Sequence, residues 1–149
     1  LLAFFGLFDK LDGELARLQG RSSVRGMFLD ASTDRLKEVM LYTGIVFYFE
    51  NGRTYDGLAF WAVLALGASM AVSYIKAKGE AAIASTGKRY THTELNKLFA
   101  DGLMMFEVRM VLLIAGLLSG GYMIYFVAAI AVLSGLTALS RLIRISRKL

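Results

Sequence analysis

Long apolar runs recur along this 149-residue chain and restrict the folds that it can adopt. They cover residues 39–49, 58–75, 103–118 and 122–139, and polar or glycine-containing segments of different lengths separate them. An apolar helix of about 20 residues can cross a bilayer because its backbone hydrogen bonds are all made within the helix. With the turns before it, the first run also reaches that length. The sequence therefore predicts an all-α integral membrane protein, a polytopic helical bundle.

The distribution of positive charge predicts how the helices are oriented. Of the 17 lysine and arginine residues, only Arg53 lies in the turns at 50–57 and 119–121. The positive-inside rule assigns the opposite, basic ends to the cytoplasm. This clustering favours contact with anionic lipid headgroups over nucleic acid as the reason for the net charge of +5. The chain has no cysteine, which excludes disulfides and thiolate metal sites.

The ends of the apolar runs suggest further boundaries. Residues 1–8 have no basic region before them and no small-residue cleavage site after them, so they resemble the second half of a transmembrane helix, not a signal peptide. We therefore expect one membrane domain over residues 1–149, incomplete at its N-terminus. The helix of 58–75 is expected to end in the cluster KAKGE at 76–80. The last span is expected to run to about Leu139 and to finish in SRLIRISRKL, with Arg141 and Arg144 near the end of the last helix. In the polar connection 81–101, a capping-box pattern at 91–94 predicts a short interfacial helix.

The acidic stretch DKLDGELARLQGRSSVRGMFLDASTD (9–34) carries most of the chemistry. Its four aspartates form two pairs with helical spacing, so each pair lies on one side of its helix. The glycines and serines between the pairs predict a turn, which brings the pairs together across a helical hairpin. Clustered carboxylates repel one another unless they bind a cation, and Mg²⁺ or Mn²⁺ prefers oxygen ligands. Two such ions can stabilise a phosphoryl displacement. The four residues are Asp9, Asp12, Asp30 and Asp34.

Other functions are compatible with the same residues. A lone aspartate at a helix end is most often a solvated cap. The cluster could serve as the selectivity site of a divalent-cation channel or transporter, although such sites usually lie near the bilayer midplane and these aspartates lie at the boundary. A structural membrane subunit with a basic headgroup-binding face is a third alternative.

The aspartates belong to a longer pattern. Asp9-x-x-Asp12-Gly13-x-x-Ala16-Arg17, eight residues, and then Gly26-x-x-x-Asp30-x-x-x-Asp34 is similar to the signature of the CDP-alcohol phosphotransferase family, with all eight specified positions present. The resemblance covers this motif and the four apolar runs after it. It implies a fold of six transmembrane helices, of which this chain covers the end of the second through the sixth. It also implies an enzyme that transfers a phosphoryl-alcohol group from a CDP-alcohol to an acceptor alcohol and releases CMP.

The resemblance implies roles for individual residues. All four aspartates would be metal ligands for two Mg²⁺ or Mn²⁺ ions, and Asp34 would also be the general base on the acceptor hydroxyl. The nucleotide-binding residues would be Asp9, Gly13, Arg17, Ser23 and Gly26. The site would lie on the cytoplasmic side of the cell membrane.

A second stretch bears on the acceptor. Residues 73–80, SYIKAKGE, resemble the segment that binds acceptor phosphate in the branch of the family that uses inositol phosphate, with a lysine at 78 where arginine is expected. The donor would be CDP-diacylglycerol, CDP-archaeol or CDP-inositol. Positive-inside anchoring is the alternative role for the lysines of this stretch and for the arginines near the C-terminus. The implied acceptor-phosphate residues are Ser73, Lys76, Lys78, Arg109, Arg141 and Arg144.

Two features within the apolar runs complete the predictions. Placing the charged side chain of Arg109 inside an apolar helix costs free energy unless it faces a polar cavity or a partner. The small-residue run Gly67-Ala68-Ser69 permits close helix packing and suggests a homodimer interface.

Overall fold

Every secondary-structure element that the computed structural model describes is a helix. The structure describes residues 23–51, 57–85 and 104–147, and these ranges contain no strand. The elements are α1 (Val24–Asn51), α2 (Leu58–Ser85), α3 (Phe106–Leu118), a short 3₁₀ helix (Gly120–Tyr122) and α4 (Met123–Ser146). The predicted all-α fold is confirmed.

The chain forms two compact units, Leu1–Leu41 and Tyr42–Leu149. In the described part of the first unit, α1 begins at Val24. Ser23 caps this helix, because its Oγ accepts a hydrogen bond of 3.0 Å from the Gly26 N–H. A serine at this position satisfies one of the backbone donors that a helix start leaves unpaired.

In the second unit, α2 and α4 pack against each other along one face each. The α2 face is made of small residues, including the fully buried Ala62, Ala65 and Ser69. Small side chains let two helix backbones approach closely, which is the usual packing between helices in membranes. On α4 the buried positions recur every three or four residues, as expected for one helical face. They include Val127, Ile130, Ala131, Ser134, Ala138 and Arg141.

A tight turn joins α3 to α4, as the Ser119-Gly120-Gly121 sequence predicts. Gly120 adopts a φ of +60°, which favours glycine, and the Ser119 N–H donates to the Ala115 carbonyl over 3.0 Å. The two helices approach each other closely at Gly116. A methyl group there would lie 2.6 Å from Met123 Sδ and 3.0 Å from Phe126 Cβ.

Two of the four predicted spans have the length and hydropathy of membrane-crossing helices. These are Ala59–Ser85 and Gly120–Ser146, of 27 residues each. Helix α1 is long enough but carries charged residues through its first half. Helix α3 has 13 described residues, which amount to about 20 Å, less than the roughly 30 Å of a bilayer core.

One predicted helix boundary was wrong. Helix α2 continues through the KAKGE cluster to Ser85, so the first five residues of the predicted polar connection are helical. Helix α4 continues to Ser146, beyond the apolar run that ends near Leu139, and it contains Arg141 and Arg144 near its end, as expected. The residues in these extra turns are mostly alanine, lysine, arginine, glutamate, leucine and isoleucine, which sustain a helix in water as well as in lipid. The capping box at 91–94 lies outside the described residues.

The second unit has an apolar exterior. Phe60, Val63 and Leu136 each expose more than half of their surface. Arg109 and Arg141, in contrast, are buried, with exposed fractions of 1% and 6%. A water-soluble protein rarely shows large exposed apolar patches together with buried arginines. This distribution is typical of helices that face lipid.

We predict that Gly116→Ala destabilises the α3–α4 hairpin by about 1–3 kcal/mol, the usual cost of overpacking. The added methyl group would displace both Met123 and Phe126. Unfolding of the purified protein in detergent, followed by circular dichroism, measures the effect. Gly135→Ala on α4 is the matched control, because a methyl group there has no neighbour within 4 Å. An equal response of the two variants would contradict the close approach.

Candidate active site

Helix α1 carries a row of residues at four-residue intervals, Gly26, Asp30, Asp34 and Glu38. This spacing keeps the row on one side of the helix. Burial increases along it, since Asp30 is exposed and the side chain of Asp34 is 21% exposed, whereas Glu38 is fully buried. The row therefore runs from an exposed position to a buried one, and Asp34 lies between them.

The carboxylate of Asp34 is in an environment that disfavours its negative charge. Partial burial raises the pKa of Asp34, and the charge of Asp30 raises it further. Lys37, whose Nζ lies 3.5 Å from Oδ1, and Arg35 act in the opposite direction but more weakly. A bound divalent cation would reverse this balance, because it attracts both carboxylates. The oxygen donors and their electrostatics thus fit a hard metal ion.

Glu38 was not among the predicted site residues. Its Oε2 accepts a hydrogen bond of 3.0 Å from Arg35 Nη1, an ion pair in which the carboxylate is fully buried. A buried carboxylate requires such a partner. The continuation of the four-residue spacing beyond Asp34 was the available sequence signal. The pair holds the guanidinium of Arg35, the residue that follows Asp34 in the sequence.

The other predicted residues of the 9–34 motif divide into two groups. Asp9, Asp12, Gly13 and Arg17 lie outside the described residues, so the meeting of the two aspartate pairs remains a prediction. Among described residues, no three carboxylate or imidazole groups are close enough together to hold a metal. Ser23 and Gly26 are in contact through the helix cap, and their nucleotide-binding role also remains a prediction.

In the second unit, Arg109 is the largest fully buried side chain among those described. Its Nη1 donates a 2.8 Å hydrogen bond to the Met104 carbonyl. The guanidinium also lies 6.0 Å from the centre of the Phe106 ring, within cation–π range. These contacts hold the guanidinium at the start of α3. A buried side chain with polar contacts agrees with the expectation for an arginine inside an apolar run.

Arg141 connects α4 to α2. Its Nη1 donates to the Val72 carbonyl over 3.3 Å, although 69 residues separate the two in the sequence. Arg109 and Arg144 repel its charge electrostatically, and Glu80 attracts it. The fold therefore brings at least three of the predicted cations into one electrostatic cluster, which we call the arginine cluster (Arg109, Arg141 and Arg144). Like charges held together in a protein favour binding of an anion.

The three predicted residues on α2 do not share one side of the helix. Ser73 Oγ donates to the Ser69 carbonyl over 3.2 Å, and Lys76 Nζ lies 3.8 Å from Glu80 Oε1. Lys78 instead lies over the Tyr74 ring, 5.8 Å from its centre. At 100° per residue, Lys78 is about 160° around the helix from Lys76. The helix therefore separates Lys78 from the other two, and its assignment to acceptor phosphate stays a prediction.

Comparison with known proteins identifies relatives. The chain is 37% identical to a phosphatidylinositol phosphate synthase of Cutibacterium acnes over 83 residues and 37% identical to one of Mycolicibacterium smegmatis over 81 residues. It is 31% identical to one of Mycobacteroides abscessus over 120 residues. These alignments cover 54%, 54% and 79% of this chain and 39%, 36% and 48% of the relatives, in the same order. The chain thus spans less than half the length of each relative.

A model of one protein family also matches this chain. The matched family is CDP-alcohol phosphatidyltransferase, and the match covers residues 1–136. It includes the whole aspartate motif, the α2 segment at 73–80 and Arg109. Since most of the chain is matched, the protein belongs to the CDP-alcohol phosphatidyltransferase family.

Proposed function

We propose that this protein is a membrane phosphotransferase that moves the phosphoryl-alcohol group of a CDP-alcohol to an acceptor hydroxyl and releases CMP. The observation that carries the proposal is the complete aspartate motif at 9–34 in a chain of this family. Helix α1 supports it by presenting Asp30 and Asp34 four residues apart, with a raised pKa at Asp34. Membership of this family does not support the alternative of a cation channel or transporter.

We propose that Asp9, Asp12, Asp30 and Asp34 hold Mg²⁺ or Mn²⁺, as two ions. The described pair fits such ions, because both donors are carboxylate oxygens and their mutual repulsion is relieved by a cation. When bound, the metal neutralises phosphate charge and stabilises the attacking and leaving oxygens of an in-line displacement.

The protein residues would direct the reaction. The acceptor oxygen forms a bond to the phosphorus that carries the donor alcohol, and the bond from that phosphorus to the bridging oxygen of CMP breaks. Asp34 takes the proton of the acceptor hydroxyl. Around the nucleotide, Gly13 and Gly26 leave room for close approach to the backbone, and Arg17 and Ser23 contribute polar contacts.

We propose inositol phosphate as the acceptor. The arginine cluster supports this assignment because it concentrates positive charge, two of its three guanidiniums are buried, and guanidiniums bind phosphate through paired N–H donors. Ser73 and Lys76 would complete the phosphate site. The relatives support it too, since they are named phosphatidylinositol phosphate synthases. That name favours CDP-diacylglycerol over CDP-archaeol and CDP-inositol as the donor.

We further propose that residues 1–149 belong to one polytopic domain in the cell membrane, part of a bundle of six helices, with its active site on the cytoplasmic side. The apolar exterior of the second unit and the basic ends of its helices support this. Membrane lipid and a second copy of the chain are the further proposed partners. In the small-residue run, Ser69 is buried within the chain, which leaves the exposed Gly67 for a homodimer contact.

We predict that Asp34→Asn abolishes CMP release while raising the resistance of the metal-free protein to unfolding at neutral pH. A raised pKa means that the folded protein binds the Asp34 proton more tightly than the unfolded chain does. Ionisation of Asp34 therefore costs stability above its folded pKa, and the cost disappears as the pH falls through that value. An amide avoids the cost but cannot act as the base.

CMP release from CDP-diacylglycerol and inositol phosphate, with Mg²⁺, measures the first effect, and thermal unfolding in EDTA measures the second. EDTA should also abolish turnover by the wild-type protein, and added Mg²⁺ should restore it. Glu107→Gln is the matched control, because it removes one negative charge from an exposed position on α3. Normal turnover by Asp34→Asn would show that the assignment of the base is wrong.

We also predict that Arg141→Met raises the KM for inositol phosphate about ten- to hundredfold, the loss of a charge-assisted hydrogen bond, and leaves the KM for the donor unchanged. The KM of Arg141→Lys for inositol phosphate should lie between those of the wild type and Arg141→Met, since lysine keeps the charge but not the paired donors. Arg147→Met, at the exposed end of α4, is the control. An unchanged acceptor KM in a folded Arg141→Met protein would contradict the acceptor site.

A further inference from the structure

Glu80 is an acidic residue near Lys76 and Arg141, and the proposed reaction gives it no role. Its Oε1 lies 3.8 Å from Lys76 Nζ. Its negative charge also attracts the charge of Arg141, whereas Arg109 and Arg144 repel it. One carboxylate therefore partly neutralises both a lysine and an arginine that we assign to the acceptor phosphate.

Helix stability does not account for this pair. Lysine followed by glutamate four residues later is the less favourable order, because the negative group then lies nearer the C-terminus of the helix. Helix α2 ends at Ser85, so Glu80 lies close to that end. Both side chains are nearly half exposed, at 47% and 46%. Exposed ion pairs contribute little to stability because water screens them.

A phosphate that entered the arginine cluster would compete with Glu80 for Lys76. A phosphate monoester carries about −1.5 to −2 charges at neutral pH, whereas a carboxylate carries one. Lys76 should therefore bind phosphate in preference to Glu80. The exposed side chain of Glu80 is then able to turn towards water. An alcohol without a phosphate offers Lys76 nothing in exchange.

We propose that Glu80 is a displaceable counter-ion of the acceptor site, bound to Lys76 while the site holds no phosphate and released when a phosphate-bearing acceptor binds. This inference rests on the proposed acceptor site. It assigns to Glu80 a part in specificity, because only a ligand with more negative charge than a carboxylate frees Lys76.

Inorganic phosphate is the probe that tests this role without turnover. We expect Glu80→Gln to lower the Kd for phosphate about two- to fivefold, as measured by isothermal titration calorimetry of the purified protein in detergent. Glu107→Gln, with the same change of charge, should keep the wild-type Kd. In a Lys76→Met background, Glu80→Gln should have a smaller effect, because the competition for Lys76 is then absent.

The outcomes separate this inference from the proposed function. Equal phosphate affinity in Glu80→Gln and the wild type would overturn the counter-ion role and leave Lys76–Glu80 as a surface pair. Weaker affinity in the variant would also overturn it and would make Glu80 a residue that positions Lys76. Absence of phosphate binding in both proteins would overturn the acceptor site itself. CMP release with the same preparations shows separately whether the reaction class holds.

Discussion

The burial of guanidinium groups among apolar helices is the constraint on which the second unit depends. A charge removed from water has to be satisfied by fixed polar partners, and few are offered by helices whose backbone groups already bond to each other. Arg109 uses the Met104 carbonyl just before α3, and Arg141 reaches the Val72 carbonyl on another helix. These contacts hold the start of α3, the last turns of α4 and the middle of α2 around one concentration of positive charge. The small residues of α2 allow that closeness.

In the first unit, negative charges are partly removed from water, as positive charges are in the second. Asp30 is exposed to water, and Glu38 is buried and paired with Arg35. Asp34 is intermediate in its burial. It is too buried for full hydration, and its cationic neighbours do not fully compensate for that burial. Such intermediate groups are common where a protein binds a cation or transfers a proton.

Much of this arrangement could be predicted from the sequence. The apolar runs predicted the helices, the glycines at 120–121 predicted the turn, and the aspartate spacing predicted one face of α1. The end of α2 could not be predicted from hydropathy, because the loss of apolar character marks the edge of the lipid, not the last helical hydrogen bond. Nor could the contacts of Arg141 and Glu80, which depend on how distant helices are paired. The sequence showed that arginines lie near the end of α4, but not which carbonyl they contact.

The continuation of α2 to Ser85 has a consequence for where the two substrates of the proposed reaction would meet. The ten helical residues after Ile75 extend about 15 Å beyond the apolar run. That length is more than the roughly 5–8 Å that the headgroup region adds on each side of the hydrocarbon. A rigid helix of this kind carries Lys76 and Lys78 to a defined height just above the hydrocarbon. In the proposed reaction, acyl chains would confine a lipid-linked donor to the headgroup layer, and the water-soluble acceptor would be captured at the depth where the lipid presents its phosphate. The search of one substrate for the other would then be nearly two-dimensional.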